Sequence, residues 1–280
     1  MKWQLLTQKQ RGINRAFTIA MFTIFSSIIC VSCSHNQDVL VTERATTTPN
    51  PRIGKTSKAG KFYVQGQTQH LKGNSQAAIA AYSKSIGLNP EFAPAFKGRG
   101  LVYFDIGNKQ GAIADYNQAL NLNSQDGEVY NNRANVFASM GEYKRAIADY
   151  NQAISIEPNS AEFYNNRGNA RANQGDKNGA LEDYTQSIRI NQEYAIAYNN
   201  RGNAYAFRGE QQKAISDYNE AIRINSKFGA AYNNRGNAYS ALGDKRGALK
   251  DLQQAAAIFE KERNKDLYQQ VMRNIEELSK

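Results

Sequence analysis

The segment Tyr-Asn-Asn-Arg-Gly-Asn-Ala stands three times in this chain, at residues 164–170, 198–204 and 232–238, and a near copy, Tyr-Asn-Asn-Arg-Ala-Asn, occupies 130–135. The spacing is 34 residues each time. A repeat of that length is one supersecondary unit that cannot bury its apolar face alone, so it must stack on its neighbours. Stacked units present a long concave surface, and such surfaces bind other chains.

Aligned to the period, the chain divides into six units, 59–92, 93–126, 127–160, 161–194, 195–228 and 229–262. The fourth place of each is aromatic: Phe62, Phe96, Tyr130, Tyr164, Tyr198 and Tyr232. The eighth is small (Gly66, Gly100, Ala134, Gly168, Gly202, Gly236), and the twentieth is Ala78, Ala112, Ala146, Ala180, Ala214 and Ala248. The twenty-fourth is Tyr82, Tyr116, Tyr150, Tyr184, Tyr218 and Leu252. Apolar and small residues at places 4, 8, 11 and then 20, 24, 27 follow helical spacing, so each unit reads as two helices. The glycine at place 15 (Gly73, Gly107, Gly141, Gly175, Gly209, Gly243) suits the left-handed end of the first helix. Asn74, Asn108, Asp176 and Asp244 just after it suit the cap of the second.

These residues resemble the tetratricopeptide repeat (TPR) family over 59–262, about three quarters of the chain. The resemblance implies an all-α fold, a right-handed α-solenoid of six helix pairs. Two features depart from the family pattern: place 7 is Arg rather than a large apolar residue, and the proline near the unit's end survives only as Pro90 and Pro158. Residues 263–280 add a helix with one apolar stripe, Leu267, Val271, Ile275 and Leu278, and read as a cap over the last unit.

The front of the chain is different. Lys2, Lys9, Arg11 and Arg15 precede an uncharged run from Ala16 to Val31, followed by Ser32-Cys33. Residues 1–32 therefore read as a signal peptide or membrane anchor. The small residue before Cys33 resembles a bacterial lipoprotein signal, which implies lipidation of Cys33 and an extracytoplasmic, membrane-anchored protein. Cys30, where that pattern usually has Leu, is a departure. An uncleaved anchor is the alternative. A Cys30–Cys33 redox pair lacks the surrounding βαβ pattern. Residues 33–58, with Thr46-Thr47-Thr48-Pro49-Asn50-Pro51 at their centre, read as a flexible tether.

The formal charge is +10, of which four charges precede Cys33, so cleavage there leaves +6. That balance does not call for nucleic acid as a partner. The repeats contain no cysteine, which excludes disulfides and thiolate zinc sites from them. His35 and His70 are the two histidines, and no nucleophilic triad, metal-spaced cluster or phosphate-cradling loop accompanies them. The reading is therefore non-catalytic, with no cofactor and no metal.

In the TPR family the first helix of each pair lines the concave face, which implies that places 2, 5, 6, 9, 12 and 13 look into the groove. Place 6 holds Asn132, Asn166, Asn200 and Asn234; place 9 holds Asn135, Asn169, Asn203 and Asn237; place 5 holds Asn131, Asn165, Asn199 and Asn233. Asparagine costs a helix about half a kcal/mol relative to alanine. A side-chain amide offers both donor and acceptor, as a peptide bond does. The amides at places 6 and 9 are accordingly the candidate contacts to protein or peptide segments. The carboxylate clamp of the family is incomplete: Lys97 and Asn132 fit it, but Leu101, Glu162 and Asn166 do not. Arg at place 7 (Arg99, Arg133, Arg167, Arg201, Arg235) occurs in the same five units as Asp at place 23 (Asp115, Asp149, Asp183, Asp217, Asp251), which predicts an Arg–Asp pair within each unit. Lys109, Lys144, Arg145, Lys177, Lys213, Lys245 and Arg246 fall just after the turn and read as a solvated edge.

The expected function is a tethered assembly or adaptor factor with an Asn-lined groove, bound to a membrane through its N-terminal lipid or anchor. Two alternatives stand beside it. One is a membrane-anchored cytoplasmic scaffold, an arrangement that some photosynthetic TPR assembly factors resemble. The other is a carbohydrate-binding envelope lipoprotein, for which Tyr63, Phe104 and Phe207 are the possible aromatic platforms.

Overall fold

The computed structural model describes residues 57–279. The lipidation candidate Cys33, the signal and most of the tether lie outside the described residues. Among the described residues there are thirteen helices and no strand. The first eight are α1 Lys58–Leu71, α2 Ser75–Leu88, α3 Ala93–Asp105, α4 Lys109–Leu122, α5 Gly127–Ser139, α6 Tyr143–Ile156, α7 Ala161–Gln174 and α8 Lys177–Ile190. The remainder are α9 Ala195–Phe207, α10 Gln211–Ile224, α11 Gly229–Ala241, α12 Lys245–Lys261 and α13 Lys265–Ser279. Helix contacts divide them into two compact units, 57–197 and 198–279. No described helix is long and apolar enough to cross a membrane.

Both units are stacks of antiparallel helix pairs of the TPR solenoid type. Each pair turns at its place-15 glycine, and all six glycines have positive φ, from 74° to 99°. Asn108, Asp176 and Asp244 then cap the second helix by accepting from the backbone N–H of Gly111, Gly179 and Gly247. Asn74 does not cap α2; its amide instead donates to Gln69.

In the first, second, fourth and fifth pairs the two helices pack a tyrosine ring against a glycine. At Gly168 an added Cβ would lie 2.7 Å from the ring of Tyr184, and at Gly202 it would lie 2.6 Å from that of Tyr218. The close approach needs the missing side chain. In the unit 57–197, Phe96, Tyr116, Leu120, Val129 and Val136 form one core cluster, and Ala134, Phe137, Ala146, Tyr150 and Ala170 another. In 198–279, Leu252, Ala255, Phe259, Leu267 and Val271 form a cluster flanked by Ile275 and Leu278. The whole apolar stripe of α13 thus rests on α12.

The start of the stack is sealed by sequence. Place 3 is buried in the later repeats (Ala95, Val129, Phe163, Ala197, Ala231), whereas in the first repeat it is Lys61, which is exposed. Place 10 changes in the same way, from buried Val102, Val136, Ala170 and Ala238 to exposed Thr68. The first helix of the first repeat thus carries polar residues where the others carry apolar ones.

Candidate functional site: the first-helix face

Five Arg–Asp pairs join the first and second helices of their own repeats. Each guanidinium grips its carboxylate through two nitrogens: Arg99–Asp115 at 2.8 and 2.8 Å, Arg133–Asp149 at 2.7 and 2.8 Å, Arg167–Asp183 at 3.0 and 2.6 Å, Arg201–Asp217 at 2.8 and 2.8 Å, Arg235–Asp251 at 2.6 and 2.8 Å. A further nitrogen reaches back to place 25 of the preceding repeat: Ser83 from Arg99, Asn117 from Arg133, Asn151 from Arg167, Asn219 from Arg235. The aromatic at place 4 lies under the same guanidinium, as Tyr130 does at 5.5 Å from Arg133. Hydrogen bonds to Asp outweigh burial and raise the pKa of Arg99, Arg133, Arg201 and Arg235 above the usual arginine range. The arginine row is thus engaged in bonds within the protein. Asp183 has a second partner, Arg171, at 3.0 Å.

The asparagines at places 5 and 6 lie on the face built by successive first helices. Both places are buried. Asn132, Asn166, Asn200 and Asn234 are 7, 5, 4 and 8 % exposed, and Asn131, Asn165, Asn199 and Asn233 are buried as well. They join one repeat to the next. Asn166 Nδ2 donates to Asn131 Oδ1 at 3.1 Å, and Asn234 Nδ2 donates to Asn199 Oδ1 at 3.0 Å, each across 35 residues. Asn132 stands where its register partner is Lys97, and it makes no such rung.

The place-9 amides are held differently. Tyr150, Tyr184 and Tyr218 donate their hydroxyls to the Oδ1 of Asn135, Asn169 and Asn203 at 2.5, 2.8 and 2.7 Å. Burial, and then Asp217, push the Tyr218 phenol well above its usual range, so it stays a donor. In the last repeat Leu252 replaces the tyrosine, and Asn274 of α13 approaches Asn237 Oδ1 at 3.5 Å. Asn169, Asn203 and Asn237 remain half-buried, whereas Asn135 is buried.

In the unit 57–197 this face also carries charge. Lys97 bonds Asp126 at 3.0 Å and Glu128 at 2.8 Å, which occupies the one lysine of the incomplete clamp. Burial opposes the Lys97 charge, but the two carboxylates outweigh it and its pKa is raised. Asn131 and Asn166 both donate to Glu162 Oε1, at 3.1 and 3.4 Å. His70 and Asp105 meet at 2.6 Å between α1 and α3. Neither Glu162 as an amide-held carboxylate nor the Tyr–Asn bond was evident in the sequence. The fifteen-residue Tyr/Asn coincidence is complete only in units 3 to 5, and Glu at place 2 occurs only in units 3 and 4.

Several residues of the basic edge are tied down: Lys109 bonds the Ser139 carbonyl, Arg145 stacks 3.9 Å over Phe137, and Lys213 pairs with Glu210. Of the three possible sugar platforms, Tyr63 and Phe104 are half-buried, with Tyr63 edge-on to Phe92, and Phe207 is 37 % exposed. Among the described residues no group of three or more His, Cys, Asp or Glu could hold a metal ion.

Tetratricopeptide repeat models match residues 62–92, 161–194 and 229–266, and a TPR repeat model matches 100–141, 134–175 and 202–243. Together they span more than half of the chain. Comparison with curated proteins gives no match. Among solved structures, the chain is similar to MamA, with 26% identity over 58% of this chain and 95% of that one and a TM-score of 0.53. It is also similar to YrrB, described as a TPR protein with an unusual peptide-binding site, with 22% identity over 65% and 93% and a TM-score of 0.52. PilW, a type IV pilus biogenesis factor, aligns with 16% identity over 76% and 98% and a TM-score of 0.69. The YrrB and PilW likenesses bear on the fold alone.

Proposed function

Because the chain belongs to the tetratricopeptide repeat family, whose helix pairs serve as protein-interaction scaffolds, we propose that it holds extended segments of partner proteins along its first-helix face, without catalysis. The observation that carries this reading is the pairing of first-helix amides from successive repeats within each unit, by Asn166–Asn131 in 57–197 and by Asn234–Asn199 in 198–279. A side-chain amide has two donor hydrogens and an oxygen that accepts twice. A rung that uses one donor and one acceptor therefore leaves the amide able to make a second bond. The half-buried amides of Asn169, Asn203 and Asn237 are the more accessible contacts; Asn132, Asn166, Asn200, Asn234 and Asn135 would contact a partner through the outer edge of the rows. Such a row grips a backbone with little regard for its side chains.

On the same reading the scaffold is tethered to a membrane through a lipid on Cys33, outside the described residues, and works as an assembly or adaptor factor on the extracytoplasmic side. Mass spectrometry of the native protein tests that tether directly: a diacylglyceryl mass on a chain beginning at Cys33 is expected, and a retained Trp3 would remove the lipoprotein reading. The groove is tested by pull-down from native membranes. Because the ladder amides are buried, Asn→Ala at 132, 166, 200 and 234 is paired with Ala172→Trp, which crowds an exposed position two turns along α7 from Asn165. Partners lost with both variants at unchanged helicity are expected. Partners retained with Ala172→Trp would sink the groove reading.

A further inference from the structure

Place 2 and place 5 of neighbouring repeats form one kind of rung, and it is made in two different ways. Between repeats 2 and 3 it is an ion pair, in which Lys97 at place 5 reaches Glu128 at place 2 over 2.8 Å. Between repeats 3 and 4 the glutamate remains, as Glu162, but the lysine has become Asn131. Among the described residues its partners are now neutral amides, Asn131 Nδ2 at 3.1 Å and Asn166 Nδ2 at 3.4 Å, both on Oε1. In units 5 and 6 place 2 is Ile196 and Ala230, so the charge is absent. Glu162 is thus a half-buried carboxylate, aimed by two amides, at a position where the preceding rung supplies a lysine.

The first turn of α7 stabilises that charge through the helix dipole, so folding does not require a cation there. A carboxylate already oriented by hydrogen bonds is nonetheless a ready partner for a cationic N–H, with a bond stronger than one between neutral groups. A second observation concerns α5, the helix that supplies Asn131 to this rung. Glu128, Asn131 and Asn135 recur at i, i+3 and i+7 along α5. Asn135 is 7 % exposed, and its Nδ2 has no hydrogen-bond partner. Tyr150 on α6 donates its hydroxyl to the Asn135 oxygen.

We propose that Glu162 is a specificity residue of the first-helix face, receiving one lysine or arginine side chain of a bound extended segment. The proposal rests on the groove reading above. It makes the face selective at one rung, while the amide rows stay indifferent to sequence elsewhere. The chain's own Lys97 occupies the equivalent place one repeat earlier.

The test is selection of a random dodecapeptide phage library on the full-length protein in mild detergent, with wild type and Glu162→Gln side by side. The most enriched peptide is then synthesised with a benzophenone, and its crosslinks are mapped. A single basic position enriched on wild type and lost on Glu162→Gln is expected. Replacing that residue by norleucine should weaken binding about tenfold to wild type and leave binding to Glu162→Gln unchanged. Peptides that crosslink to α5 and α7 but show the same residue preferences on both proteins would overturn the role of Glu162 and leave the groove reading standing. Crosslinks confined to other surfaces, or no selected peptide, would overturn both.

Discussion

Arg235 sits between two needs. Its partner Asp251 is 3 % exposed, and an unpaired carboxylate that deep is costly. Arg235→Met should lower stability by about 3 kcal/mol, read as lost amide-exchange protection in α12. Adding Asp251→Leu removes the stranded charge and should recover most of the loss, so the double-mutant cycle is strongly non-additive. The equivalent change in repeat 4, Arg167→Met, should cost α8 less, because Arg171 also bonds Asp183. Equal losses in the two repeats would show that Arg171 gives no backup. This pair was readable in the sequence, since Arg at place 7 and Asp at place 23 share five units and are both missing from the first, where Gln65 and Ala81 stand in their places. The reach of Arg99, Arg133, Arg167 and Arg235 to place 25 was not, because Ser83 differs in type from Asn117, Asn151 and Asn219 and each acceptor sits on another repeat. Glu157 carries the opposite sign of charge effect. Burial first, then Glu128 and Asp126, hold its pKa above the ordinary glutamate value. A carboxyl raised in the folded state contributes stability below its ordinary pKa and loses it as pH rises through the raised value. Glu157→Gln should therefore stabilise slightly at pH 7, by less than about 1 kcal/mol because the group is largely solvated. The gain should vanish below about pH 4, and a gain that persists in acid would rule out the ionised carboxyl as its cause.

At the scale of the helix, the turn glycines and the rings are the sharpest determinants. Gly141 has φ of 77° with open space around its Cα, so Gly141→Ala has no clash and isolates the backbone term. Its expected cost is about 1 kcal/mol, measured as the shift in urea midpoint. Arg263 adopts φ of 58° at the end of α12, the one described non-glycine residue with positive φ. Arg263→Gly should relieve that conformation and stabilise by a similar or smaller amount. A loss on Arg263→Gly would mean that the arginine side chain makes up for its backbone. Helix number, pairing and turns were legible because each rests on local chemistry: a glycine at the turn, small residues at helical spacing, an aromatic across from them. Capping was legible in part. Asn74 has the right type and place but bonds Gln69, a choice made by a neighbouring side chain rather than by position.

At the scale of the whole molecule, the first and last repeats are closed in different ways. The first repeat is solvated by Lys61, Gln65 and Thr68 on its leading helix. The last repeat is covered by α13, which brings Leu267, Val271, Ile275 and Leu278 to Leu252 and Phe259. Removing residues 264–280 exposes that cluster, at about 1.5–3 kcal/mol for each large side chain left uncovered. Hydrogen exchange should then rise most in α12 and α11 and less in α10, since repeat stability passes between nearest neighbours. Unchanged exchange in α12 would show that the cap contributes little to the last repeat.

The sequence alone determined what its period encodes: an all-α fold, two helices per unit, their turns, the intra-unit Arg–Asp pairs and the apolar stripe of the cap. These follow because each depends on residues within one 34-residue unit or at a fixed offset from it. Only the tertiary structure decided how the units speak to each other. It buried places 5 and 6 together and paired them across 35 residues, turned the place-9 oxygens onto tyrosines, and left Glu162 held by amides where Lys97 had held Glu128. Those outcomes depend on which side of a planar amide faces which neighbour, and that is set by packing between repeats, where a period has no further information to give.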